Sequence, residues 1–122
     1  MDEDCRGFIA ALIAQAPALE SALRETLEYW EPDEPPVTIL FAALGERMVD
    51  EFNSAGADAN QRRFHLIESA MNSSNSDLVT AVATGLLEAI VSAASRQEGL
   101  LPRVSLMLGK LSRRHVNAWL AQ

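Results

Sequence analysis

Among 122 residues the sequence has one cysteine, Cys5, one lysine, Lys110, and one tyrosine, Tyr29. A lone thiol cannot close an internal disulfide, so the fold has to rest on packing, and the pattern fits a reducing compartment. Glycine and proline together supply only 11 residues, with 48% hydrophobic and 22% charged, which excludes a low-complexity or disordered chain. A domain of this length buries about two thirds of the surface its unfolded chain exposes, enough for one core without metal or disulfide. The expectation is a single domain over residues 1–122. Acids stand at Asp2, Glu3 and Asp4, where a secretory signal carries cations, and a cleaved signal is not expected. The most apolar run, Leu78 to Ser95, is interrupted by Glu88, Thr80 and Thr84. A carboxylate near a bilayer centre is costly, so this run is read as a buried central helix rather than a membrane span.

The net charge is −7, and its layout matters more than its sum. Residues 1–60 hold 13 acids and 3 bases, whereas residues 61–122 hold 4 acids and 7 bases. An acid-dominated first half argues against nonspecific nucleic-acid binding, which needs cations to displace counterions.

Strand patterns are nearly absent and helical spacing recurs throughout, giving an all-α reading. A first helix spans about Glu3 to Gln15, with Phe8 and Leu12 facing inward, and Pro17 marks the next boundary. A second carries Leu19, Leu23, Leu27 and Trp30 and stops before the breaker run Pro32 to Pro36. The third, about Val37 to Ser54, places Leu40 or Phe41, Leu44, Met48 and Phe52 on one stripe, with Gly56 at its end. Asp58 reads as the N-cap of a fourth containing Phe64, Ile67, Ala70 and Met71. Asn72 to Asn75 reads as a turn, after which Ser76 or Asp77 caps the long apolar fifth helix. Gly99, Pro102 and Gly109 divide the tail into a short helix near Arg103 to Leu108 and a last one after Ser112. The architecture is a compact helical bundle or a HEAT-like stack of about six to seven helices.

Little here supports catalysis. His65 and His115 are the only histidine bases, neither lies in a nucleophile signature, and both read as exposed polar-face residues. Cys5 and two distant histidines give no metal-ligand spacing, and no phosphate-binding or calcium loop occurs, so no cofactor is expected. The protein is read as a non-enzyme.

Three electrostatic features remain. The first is an acidic ledge, Glu25, Glu28, Glu31, Asp33 and Glu34, continued by Glu46, Asp50 and Glu51. Glu46 and Asp50 are four apart on a helix, a like-charge pair costing about 0.2–0.5 kcal/mol. A surface for a cationic protein partner accounts for the ledge, with solvation or internal pairing to Arg24 and Arg47 as the alternative. The second is Arg113-Arg114 directly after the candidate cap Ser112, where the helix dipole disfavours cations: either the helix begins elsewhere or the arginines have a carboxylate partner, docking on the acidic half being preferred to an external anion. The third is Glu88, expected to pair with Arg62, Arg63 or Arg96 because a buried lone carboxylate is expensive. Trp30 and Trp119 read as core or hinge packing.

The segment Ser76 to Ser95, with LLE at Leu86 to Glu88, and the segment Leu106 to Leu120, with LGKLS at Leu108 to Ser112 and Ala118 to Leu120 at its end, resemble small helical bacterial proteins, some of them immunity proteins of polymorphic toxin systems. The resemblance implies a cytoplasmic helical protein that neutralises a toxin domain by occlusion. Combined with the ledge, it implies an inhibitor whose partner-binding residues are Glu28, Glu31, Asp33, Glu34, Glu46, Asp50 and Glu51. The competing reading is a helical scaffold or adaptor that oligomerises or holds other proteins through an apolar groove.

Overall fold

The computed structural model describes residues 1–122, all helix and loop without a strand. In chain order the elements are α1 Glu3–Gln15, α2 Leu19–Trp30, α3 Val37–Asp50, α4 Phe52–Ala55, α5 Ala57–Met71, α6 Ser76–Thr80, a π-helical segment Ala81–Leu87, α7 Glu88–Ser95, α8 Leu100–Ser105 and α9 Lys110–Leu120. The run Ser76–Ser95 is one continuous rod of 20 residues. Counting it once gives eight helices, above the expected six to seven because Glu51 breaks the predicted third helix and leaves α4 as a separate turn.

The rod is the centre of the molecule. It meets α1, α3, α5, α8 and α9, while α2 covers the other side of α3. A repeat stack would give each helical pair contacts only to its sequence neighbours, so the arrangement is a bundle and not a HEAT-like stack. The rod alone is long and apolar enough to cross a membrane, and most of it is buried inside the bundle. Val82, Leu86, Leu87 and Ile90 are fully buried there, facing Leu12, Leu40, Phe41, Leu44 and Ile67 from the surrounding helices.

Two glycines set how closely α3 and the rod cross. A Cβ on Gly85 would lie 2.8 Å from the Cβ of Phe41 and 2.9 Å from the Thr38 carbonyl, and one on Gly45 would lie 2.7 Å from the Leu86 carbonyl. Each glycine leaves room for the other helix's backbone, and the π-helical widening of the rod falls in the same stretch. Phe41 then reaches past the rod to stack on Phe8 of α1, with ring centroids 5.6 Å apart.

Local side-chain caps start two of the helices, and two expected caps are corrected. Asp2 caps α1 by accepting from the Cys5 amide at 2.8 Å. Asn75, rather than Ser76 or Asp77, caps α6, accepting from the amides of Asp77 and Leu78 at 3.0 and 3.3 Å. Its amide also donates to Asp4 at 2.8 Å, so one side chain starts the rod and ties α1 to it. Asp58 does not cap α5: the helix starts at Ala57, after Gly56 at φ 87° turns the chain back. α8 begins three residues before the expected Arg103, because the left-handed Gly99 ends the preceding turn there. Trp30 and Trp119 are both half-buried, and Trp119 packs against the core.

Candidate functional site

Proline at 32, 35 and 36 ends α2 and delays α3, so the two helices form a hairpin lying on the outside of the bundle. The stripe Leu19, Ala22 and Leu23 faces inward on α2, and Leu40, Phe41, Leu44 and Met48 do so on α3. The acids occupy what is left. Glu25, Glu28, Glu31, Asp33, Glu34, Glu46 and Asp50 are all exposed.

Few of these charges are compensated within the chain. Arg47 reaches across from α3 to Glu25 at 3.3 Å and to the Ser21 hydroxyl at 2.6 Å, fastening the hairpin. Glu34 stands 3.7 Å from the Met1 amino group. Glu28, Glu31, Asp33, Glu46 and Asp50 have no cation within salt-bridge distance. Glu51 differs from the rest: it is mostly buried and accepts from Arg63, whose guanidinium also donates to the Gln15 carbonyl at 3.2 Å. Its carboxylate holds α5 against the end of α3 and faces no partner.

Periodicity did not reveal the apolar part of the same surface. Tyr29 is 84% exposed, and Leu27 and Ile39 are also exposed, on the two facing helices of the hairpin. Tyr29 lies between Glu28 and Glu31 and off the inward stripe. That position was visible in the sequence, as was the absence of any core role for the ring.

The remaining polar groups are arranged differently from expectation. Glu88 pairs with His115, Nε2 to Oε2 at 2.9 Å, and with none of Arg62, Arg63 or Arg96, because α9 rather than α5 crosses the rod at that point. His115 is therefore half-buried rather than free on a polar face, while His65 is exposed. Arg113 and Arg114 do not dock on the acidic half; Arg113 donates to the carbonyls of Ser105 and Leu108, both at 3.2 Å, satisfying the end of α8. The compensation for α9 comes from Glu68, which accepts from the amides of Leu111 and Ser112 at 2.7 and 2.9 Å and from the Ser112 hydroxyl at 2.8 Å. Burial pushes its carboxyl up, yet the three donors outweigh this and hold it below the ordinary value. No sequence signal links Glu68 to a helix more than 40 residues on.

The largest groove, about 560 Å³ between α1 and α5, is lined by Gln15, Asp58, Arg62, His65 and Ser69 over Leu66, and Glu88 does not reach it. Cys5 is buried, and burial with the adjacent Asp2 pushes its thiol up to about 11, so it stays protonated and unreactive near neutral pH. No group of three or more His, Cys, Asp or Glu side chains converges in the manner of a metal site. What the hairpin presents to solvent is a set of unpaired carboxylates and an exposed aromatic ring. Comparison with family models, curated proteins and solved structures found no match.

Proposed function

We propose that the chain is an immunity-like inhibitor that binds a cognate bacterial toxin domain in the cytoplasm and neutralises it by occlusion. The single observation that supports this reading is the α2–α3 hairpin, which carries the exposed Tyr29 and five exposed carboxylates without intrachain cations. An aromatic anchor that buries its ring and a charged rim that steers a basic surface are what a tight protein interface needs. Folding supplies no reason for either feature. The contact set is Tyr29 with Glu28, Glu31, Asp33 and Glu34 at one end of the hairpin and Glu46 and Asp50 along α3, with Glu51 acting behind it through Arg63.

Calorimetry with the product of the neighbouring gene tests the reading. The expected result is a one-to-one complex with a Kd of about 1 nM. A variant carrying Glu28→Lys, Glu46→Lys and Asp50→Lys should bind at least tenfold more weakly, about 1.4 kcal/mol, while its melting curve stays near that of the parent chain. Unchanged affinity would remove the acidic face from the site. Absence of any complex would remove the inhibitor.

The scaffold reading keeps one supporting observation. Leu106 is 82% exposed just after α8, a large apolar side chain open to solvent.

A further inference from the structure

The segment after Glu98 contains four cations, Arg103, Lys110, Arg113 and Arg114, and no acid. None of the four forms a salt bridge within the chain. Between α8 and α9 lies an open groove of about 300 Å³, lined by Leu106, Leu108, Val116 and Leu120, with Arg113 as the cation at its side. Leu106 and Leu120 are 82% and 57% exposed, so the apolar walls are open and not closed over by the fold. Scattered exposed leucines need no explanation, but two flanking one groove on an all-basic segment form a patch.

The opposite chemistry is carried by the same molecule. Over residues 25–51 there are eight acids and one base, and the exposed large side chains there are Leu27, Tyr29 and Ile39. α2 packs on α3, whereas α8 packs on α7 and α9 on α5 and the rod, and Arg103 of α8 meets Asn53 just beyond the end of α3 at 2.7 Å. One patch is apolar with carboxylates that mostly lack a cation; the other is apolar with cations that lack a carboxylate.

We infer that the α8–α9 groove receives the α2–α3 edge of a second copy of the chain, with Tyr29 set against Leu106 and Leu120 and carboxylates facing Arg113 and Arg114. The contact is heterologous, joining two different patches. Charge complementarity selects this occupant: pairing the groove with itself would set one acid-free basic segment against another, and pairing the hairpin with itself would oppose its acids. The inference does not depend on the identity of any other partner. It does predict that a basic protein bound to the hairpin and a second copy of the chain exclude each other.

Sedimentation and light scattering from micromolar to millimolar chain, at low salt, test it. The wild-type mass should rise with concentration, and added salt should weaken association at least tenfold. Tyr29→Ser and Leu106→Ser should each weaken it at least tenfold, and because both side chains are exposed, both variants should melt like the parent. An equimolar mixture of the two should regain one-to-one pairs, since each supplies the patch the other lacks. Arg114→Glu gives a charge-only check and should match Leu106→Ser. A wild-type mass fixed at the monomer would overturn the inference. So would a mixture that stays monomeric, or a loss of association with Leu106→Ser but not Tyr29→Ser, which would mean a groove paired with itself.

Discussion

Helices α3 and α9 both lie against the rod, but they are held in different ways. Six of fourteen residues of α3 are buried, among them a glycine that lets the backbones touch. α9 buries only Ser112 and Val116 of eleven, and two carboxylates from other helices, Glu68 at its first turn and Glu88 at His115, fix its position. One contact is set by shape and resists small changes of solvent. The other is set by hydrogen bonds that a proton can remove. The difference marks where the bundle should open first, since local unfolding follows low apolar burial.

The sharpest way to break the α3 side is Phe41→Ala. The ring is fully buried and joins α3 to both the rod and Phe8, so the loss should be about 3–5 kcal/mol, read from denaturant midpoints at constant slope. Gly85→Ala adds a single methyl against the Thr38 backbone, which cannot move aside as a side chain could, and should cost about 1–3 kcal/mol. Gly7, exposed in α1 with nothing near its missing Cβ, is the internal control. Gly7→Ala should instead stabilise by about 0.5–1 kcal/mol, because only the helix propensity changes. If both glycine substitutions moved the midpoint in the same direction, the close crossing would not be what Gly85 provides.

For α9 the corresponding substitution is Glu68→Gln. It removes the charge from three hydrogen bonds and should cost about 1 kcal/mol globally, while amide exchange at Leu111 and Ser112 rises more than exchange in the rod. The carboxyl of Glu68 lies below its ordinary value in the fold, so its contribution is complete above the usual glutamate range near pH 4.3 and disappears as pH falls through the lowered value. Wild-type α9 should therefore loosen in acid before the α3–rod crossing does, and the Gln variant should lose that pH dependence. Equal acid sensitivity at α9 and at the crossing would contradict the distinction between them.

The same contrast accounts for what the sequence made legible. The stripe of Leu40 or Phe41, Leu44, Met48 and Phe52 could be read from spacing alone, and all of these are buried although Phe52 falls in α4, because hydrophobic period is local and burial follows it. The bounds of α1 were legible for the same reason. The polar fastenings were not. Glu68 and Ser112, and Glu88 and His115, are 44 and 27 residues apart, and the choice of partner depends on which helices dock, which no local window contains. Of the candidate surface, the exposure of the acids was readable and the loss of Glu51 to Arg63 was not, since that pair forms only after α5 folds back on the end of α3. Tyr29 carries no charge and falls outside the core stripe, so neither charge layout nor hydrophobic period marks it, and only its 84% exposure does.

The smallest expected effect separates stability from recognition on the hairpin itself. Glu46 and Asp50 are exposed, repel each other at i,i+4, and sit toward the C-terminal end of α3, where the helix dipole also disfavours acids. Glu46→Lys turns the repulsion into attraction and should raise stability by about 0.2–0.5 kcal/mol, visible as a small upward shift in thermal midpoint. The same substitution removes one carboxylate from the face proposed to bind a basic partner and should weaken that complex through slower association at low salt. A more stable protein that binds less well is the signature of a surface kept for its partner. If stability rose and binding stayed constant, Glu46 would be part of the solvated exterior, and the contact would be confined to the α2 side of the hairpin around Tyr29.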